Sequence, residues 1–258
     1  MKFRIRLNQI PKMNFNKLLS MSNSVIAVHQ PNFLPWLGYF NKIVNSDKFI
    51  ILDDVQFPKK GGNWINRHQL SNNGKPIWVT LPVKRDYSGV KKISEIQIDD
   101  SSNWCENYLR RLTNLYRAAD FFKEIFPILQ SMFNAFESRS ISYINVYLIY
   151  EILKILDLKN THIELSSSFG IAEQGTSRLI KLAHLTETDI YLSGRGSSGY
   201  LNEELFNQGN VLLVYQNFYD IPYSQLNCDH FLPRLSIVDC MMNIGIASTR
   251  KRIIQNAQ

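Results

Sequence analysis

The stretch 25-VIAVHQPNFLPWLGYFNKI-43 runs four apolar residues into a histidine, brackets Asn-Phe-Leu between two prolines, and then places a Trp, a Gly and a Tyr together. Val25–Val28 has the apolar continuity of a short buried strand. Pro31 and Pro35 fix φ and stiffen the turn, Gly38 permits close packing or backbone approach, and Leu37–Val44 takes on helical character. Lys48–Leu52 (KFIIL) follows as a second strand and ends in Asp53-Asp54. Strand, loop, helix, strand is the signature of a βαβ unit with parallel strands. Sheets of that kind meet their ligands at the carboxyl ends of the strands, over helix N-termini. His29 and Gln30 stand at that edge of the first strand, and Asp53 and Asp54 at that edge of the second.

Outward from this unit the chain changes character twice. The Gly61-Gly62 pair marks a turn, Asn72-Asn73-Gly74-Lys75 a hairpin-type turn, and Pro76–Val83 a strand of alternating and β-branched residues. The alternation of 93-ISEIQI-98 predicts a further strand. Three segments, 103-NWCENYLRRLTNLYRAA-119, 121-FFKEIFPILQSMFNAF-136 and 140-SISYINVYLIYEILKILDL-158, carry apolar residues at helical spacing, and their aromatics read as core. The last third returns to α/β, with strands expected at Thr161–Leu165, Asp189–Leu192 and 211-VLLVYQN-217. Helices are expected at Gly175–Leu185 and over 235-LSIVDCMMNIG-245, the latter ending at Gly245. The expectation is an α/β fold: a mainly parallel sheet flanked by helices, with a helical insert at about 103–158 inside a single domain spanning 25–258.

At 258 residues, 45% hydrophobic and 20% charged, the composition is that of a soluble globular protein. The densest apolar run, 141-ISYINVYLIYEILKIL-156, is broken by Ser, Asn, Glu and Lys and falls short of the roughly 20 apolar residues of a membrane span. The formal charge of +7 favours anionic partners. Five Lys/Arg and no acid fall within the first eighteen residues, so 1–24 is expected to be a disordered basic extension outside the fold. Cys105, Cys228 and Cys240 are far apart and lack metal-ligand spacing, so they read as reduced thiols of a cytoplasmic protein, and no metal site is expected from them.

Candidate chemistry collects in four places. In 29-HQPNFLPWLGYF-40, His29 is a candidate base, Gln30 a polar contact, and Trp36 and Tyr39 surfaces for a base or sugar ring. Asp53 and Asp54 could orient the imidazole, act as base themselves, hold Mg2+ on a nucleotide, or simply cap the strand end. Lys59, Lys60, Gly61, Gly62, Trp64, Asn66 and Arg67 form the densest cationic and glycine-bearing patch, extended by Lys84, and suit a phosphate without matching a Walker spacing. The loop 193-SGRGSSGY-200, with Ser193, Gly194, Arg195, Gly196 and Tyr200, formally satisfies GxGxxG, but no long helix clearly follows, so it fits a phosphate or sugar hydroxyls better than a dinucleotide. Arg178 opens a helix upstream and could join the same site.

Taken together, HQPNFLPWLGYFNKI, DKFIILDDVQF, WINRHQL, a Thr-Leu-Pro-Val-Lys strand and DIYLSGRGSSGYL resemble the WbqC-like family of bacterial polysaccharide-locus proteins, over about Val25 to Gly245. The resemblance implies a place in O-antigen or related surface-glycan assembly, and a transferase that puts an acyl or aminoacyl group, such as glycyl, on the amine of a nucleotide-linked amino sugar. It carries over His29, Gln30, Pro31, Pro35, Gly38, Tyr39, Asp53, Asp54, Trp64, Asn66, Arg67, Ser193, Gly194, Gly196 and Tyr200. This chain departs from the family pattern at His29, often Met, and at Arg195, often Pro. The implied partners are the sugar nucleotide and an activated acyl or aminoacyl donor, with charged tRNA open as that donor; nothing in the sequence indicates an oligomeric state. The opening βαβ also looks like that of HIGH-motif nucleotidylyltransferases and ligases, with Pro35 and Tyr39 about where the signature histidines would stand, so ATP-dependent nucleotidyl transfer is a second expectation. A non-catalytic sugar-nucleotide scaffold is the third.

Overall fold

The computed structural model describes residues 24–58, 64–101, 103–158, 161–197 and 199–255. The expected basic extension lies outside these residues but for Ser24, as do Lys59, Lys60, Gly61 and Gly62. Five parallel strands, β1 (Val25–His29), β2 (Lys48–Ile51), β5 (His162–Leu165), β6 (Ile190–Ser193) and β7 (Leu212–Tyr215), form one sheet in the order β5-β2-β1-β6-β7. β3 (Arg67–Asn72) and β4 (Lys75–Thr80) pair antiparallel as a separate hairpin. Seven α-helices accompany them among the described residues: α1 (Leu37–Val44), α2 (Trp104–Tyr116), α3 (Phe122–Asn134), α4 (Ile141–Ile155), α5 (Gly175–Leu185), α6 (Glu203–Gln208) and α7 (Ile237–Gln255).

The pleat of β1 explains why the sheet is covered on both faces. Val25 and Ala27 point into one core, shared with Phe40 and Ile43 of α1, the helices of the insert, and Ile237 and Val238 of α7. Ile26 and Val28 point the other way, against Leu179, Leu182 and Ala183 of α5 and Phe206 of α6. Apolar residues on both sides of a strand are what an all-parallel sheet demands, which is why the opening strand reads as a continuous apolar run rather than an alternation.

Two segments differ from expectation. Residues 93–98 form a 3-10 turn (Ile93–Glu95) followed by isolated bridges, Gln97 to Ser140 and Val83 to Ile98. Ile93, Ile96 and Ile98 are buried, but 93 and 96 are three residues apart, the spacing of a 3-10 turn, and Glu95 closes that turn by accepting from Lys92 N–H at 2.6 Å. At Gly245 the last helix does break, with φ 75° and ψ 176°, yet a further helical run continues to Gln255. The ring of Phe121 fills the space a Cβ would need there, 2.5 Å away, so both the backbone conformation and the packing require glycine. Residues 203–208 add the short helix α6, whose N-terminus is capped by the Asn202 side chain accepting from Leu205 N–H.

Candidate functional site

In the order β5-β2-β1-β6-β7 the chain leaves β1 towards β2 on one side and later returns to β6 on the other. A reversal of this kind is a topological switch point, and open parallel sheets receive ligands in the crevice outside the carboxyl ends of the strands that flank it, here β1 and β6. The loop that forms its wall, residues 30–36, is pinned from three directions. Asn145 of α4 donates through Nδ2 to Pro31 O (2.8 Å) and Ile65 O (2.7 Å). Phe33 N donates to Trp64 O at 2.8 Å. At the start of α7, Ser236 Oγ donates to Leu34 O (2.7 Å) and Ile237 N to Pro35 O (2.9 Å). Leu34 is held at φ 41°, a left-handed conformation a leucine adopts only when its surroundings impose it. Gly38 follows because a Cβ would meet Trp36 Nε1 at 2.7 Å and Phe218 at 2.9 Å.

His29 sits at the end of β1 with its ring edge-on to Tyr39 (4.8 Å between centroids) and Trp36 (6.0 Å). Its Nδ1 lies 3.1 Å from Gln30 O; a carbonyl only accepts, so Nδ1 carries the proton and Nε2 is left as an acceptor with no partner among the described residues. Burial, then the charge of Lys42, lower the imidazole to about 3, so it is neutral at physiological pH. Tyr39 is buried, donates its hydroxyl to Gln30 O (3.1 Å) and is pushed far up by burial; it supports the histidine. Beyond His29 runs a row of indoles: Trp36 to Trp64 at 5.0 Å, Trp64 to Trp78 at 4.9 Å, with the Arg67 guanidinium 3.9 Å over Trp78.

On the β6 side, Ser193 is buried and shares a hydrogen bond with Ser197 (2.5 Å), which also donates to Gly194 O (2.6 Å). Arg195 donates to Asn217, while Gly196 has open space around it and Tyr200 is largely exposed. Between the two edges stands Lys42 of α1, which the motifs did not single out. It is 6% exposed, and its Nζ would lie 3.6 Å from a Cβ at Gly194. Burial lowers its ammonium to about 8. The only signal in the sequence was a lysine within the mostly apolar LGYFNKIV, and the structure buries that helix from Leu37 to Ile43.

The remaining candidates are placed elsewhere. Asp54 accepts both Nη2 contacts of Arg178 at 2.5 Å and a hydrogen bond from Ser166; burial pushes its carboxyl up, but these bonds and the arginine charge outweigh it and the net shift is downward. Asp53 accepts from Ser167 N (3.0 Å) and Ser166 Oγ (3.2 Å). The pair thus ties the ends of β2 and β5 to α5, through both oxygens of Asp54 and Oδ1 of Asp53, and among the described residues no group of three or more His, Cys, Asp or Glu is placed to hold a metal ion. Asn66 is buried and donates to Leu81 O (3.1 Å); Lys84 is exposed. A cleft of about 770 Å³ lies between the β3–β4 hairpin and α2, lined by Trp104, Tyr108, Arg110 and Arg111 among others and reaching Phe33 of the proline loop.

The family model of the WbqC-like protein family matches residues 30–251. The uncharacterized protein Rv1507c of Mycobacterium tuberculosis is 31% identical over 223 residues, covering 85% of this chain and 94% of that protein. No solved structure matches. Among the described residues no helix is long and apolar enough to cross a membrane.

Proposed function

The chain belongs to the WbqC-like protein family, and from that premise we propose that it transfers an acyl or aminoacyl group, such as glycyl, to the amine of a nucleotide-linked amino sugar in surface-polysaccharide assembly of the O-antigen type. The observation that carries this reading is a neutral imidazole at the switch point of a parallel sheet, with Nε2 left as acceptor and indoles beside it. An amine is nucleophilic only when unprotonated, and an uncharged acceptor positions it without repelling it. As the amine nitrogen bonds to the donor carbonyl carbon, the bond from that carbon to its leaving group breaks, and His29 Nε2 takes the proton the nitrogen sheds. Trp36 and Trp64, each partly exposed, offer stacking surfaces for the nucleobase or sugar. The donor is an activated acyl compound, with an aminoacyl-tRNA one form of it. Asp53 and Asp54 orient the neighbouring strand ends in this scheme rather than moving protons.

The test is a thermal-shift titration with nucleotide-linked amino sugars against their N-acetylated counterparts. A rise in melting temperature of the wild type that favours the free amine, and is lost in His29→Phe, is the expected result. A rise with ATP–Mg2+ and pyrophosphate release on turnover would replace this reading with nucleotidyl transfer. Tight sugar-nucleotide binding that ignores the amine and persists in His29→Phe would make the protein a scaffold.

A further inference from the structure

Lys42 is the buried charge that the transfer chemistry above leaves unused. It lies on α1 with its Nζ against Gly194, the residue that follows β6 beside β1. An ammonium withdrawn from water is ordinarily paired with a carboxylate or bonded to several oxygens. Lys42 has neither an ion pair nor a hydrogen bond to any described residue. The neighbours offer no negative charge: His29 on β1 is neutral, the Gly194 side of the crevice is glycine, and on its own helix Asn41 bonds to Ile253 O and Gln216 while Tyr39 bonds to Gln30 O. Among the described residues nothing supplies its counter-charge.

We propose that Lys42 receives the diphosphate of a nucleotide-linked ligand, binding it in the crevice between β1 and β6. The identity of that ligand rests on the sugar-nucleotide reading; the binding of a diphosphate does not. Three features favour a diphosphate over a carboxylate. The switch point is where parallel sheets hold phosphates, the serine- and glycine-rich turn 193–197 adjoins the lysine, and a compact ammonium is a point charge suited to phosphate oxygens. There is a second consequence for His29. The lysine's charge is one of the two causes that lower its basicity, so a bound diphosphate offsets it and returns basicity to the imidazole when the amine is delivered.

The experiment is isothermal titration of the purified chain with inorganic pyrophosphate and, separately, acetate, using wild type, Lys42→Met and Lys42→Arg. Pyrophosphate is expected to bind wild type about tenfold or more tightly than Lys42→Met, with Lys42→Arg retaining most of the affinity. The free ammonium is held at about 8 and a bound diphosphate raises it, so near pH 8.5 wild type takes up a proton on binding, seen as a buffer-dependent enthalpy that Lys42→Met lacks. Melting curves establish that each variant is folded, with Lys42→Gln as substitute should the methionine disturb packing. Equal affinity in wild type and Lys42→Met, no pyrophosphate binding by wild type, or a Lys42-dependent preference for acetate would each overturn the proposal. Lys42-dependent pyrophosphate binding in a protein indifferent to amino sugars would uphold it while removing the transferase reading.

Discussion

Lys42 is held in the fold at a cost that can be measured. Its folded value of about 8 lies below the usual 10.5, so the stability it contributes is full above pH 10.5 and is lost as pH falls through 8. At pH 7 the charged form therefore costs about 3 kcal/mol relative to a lysine left in water. Lys42→Met keeps the length of the chain and removes the charge, and it is expected to raise the urea midpoint at pH 7, by roughly 2 kcal/mol of stability. A stabilising substitution at a buried position is the mark of a residue kept for something other than folding. At this scale the sequence was informative about place and poor about role. His29, Gln30, Ser193 and Gly194 do gather at one sheet edge, because strand-end position follows from the apolar runs. What Asp54 does there depends on Arg178, 124 residues away, and no local pattern announces such a partner.

The helical insert holds the site as well as filling the core. Asn145 is buried in the middle of α4, and its amide group joins the proline loop to the backbone beside Trp64. Asn145→Leu leaves two carbonyls without their donor, and is expected to cost about 2 kcal/mol of stability and to weaken sugar-nucleotide binding as well. A differential scan alongside a binding titration checks both; unchanged binding would show that the loop is stiff without its pin. A second buried knot lies at the start of α7, where Asp239 accepts from Tyr116 Oη (2.6 Å), Tyr223 Oη (2.7 Å) and Gln225 Nε2 (3.1 Å) and is pushed up by its burial. The three insert helices were legible from their spacing, and their aromatics do pack as core. Residues 93–98 were not, because their buried isoleucines alternate only at 96 and 98, while the step from 93 to 96 is a turn closed by Glu95.

Across the whole molecule, pH should act through two histidines. His29 and His68 are each lowered to about 3, chiefly by burial, against 6.5 for the free side chain. Folding then excludes protons that the unfolded chain would bind, so this stability is full above pH 6.5 and falls away as pH drops towards 3. Each histidine adds a slope of about 1.4 kcal/mol per pH unit. Denaturant titrations between pH 6.5 and 4.5 are expected to show that slope shrinking by one histidine's worth in His68→Gln. An unchanged slope would mean that His68, bonded to Tyr108 Oη at 3.3 Å, is already protonated in the fold. The parallel class of the sheet followed from the strand–helix alternation. Its order did not, since the neighbours of β1 come from opposite ends of the chain and are chosen by packing on both faces. That order is what creates the crevice.

Three of the four tryptophans, Trp36, Trp64 and Trp78, stand in one row that begins beside His29, and the fourth, Trp104, stacks on Phe136. The protein therefore carries its own optical probe. Its emission under indole excitation should come mostly from the row, and a nucleobase laid against Trp36 or Trp64 should quench it, while a ligand in the cleft beside Trp104 should leave most of the light untouched. Trp104→Phe then becomes a silent background in which occupancy of the crevice can be watched without a label and followed in time.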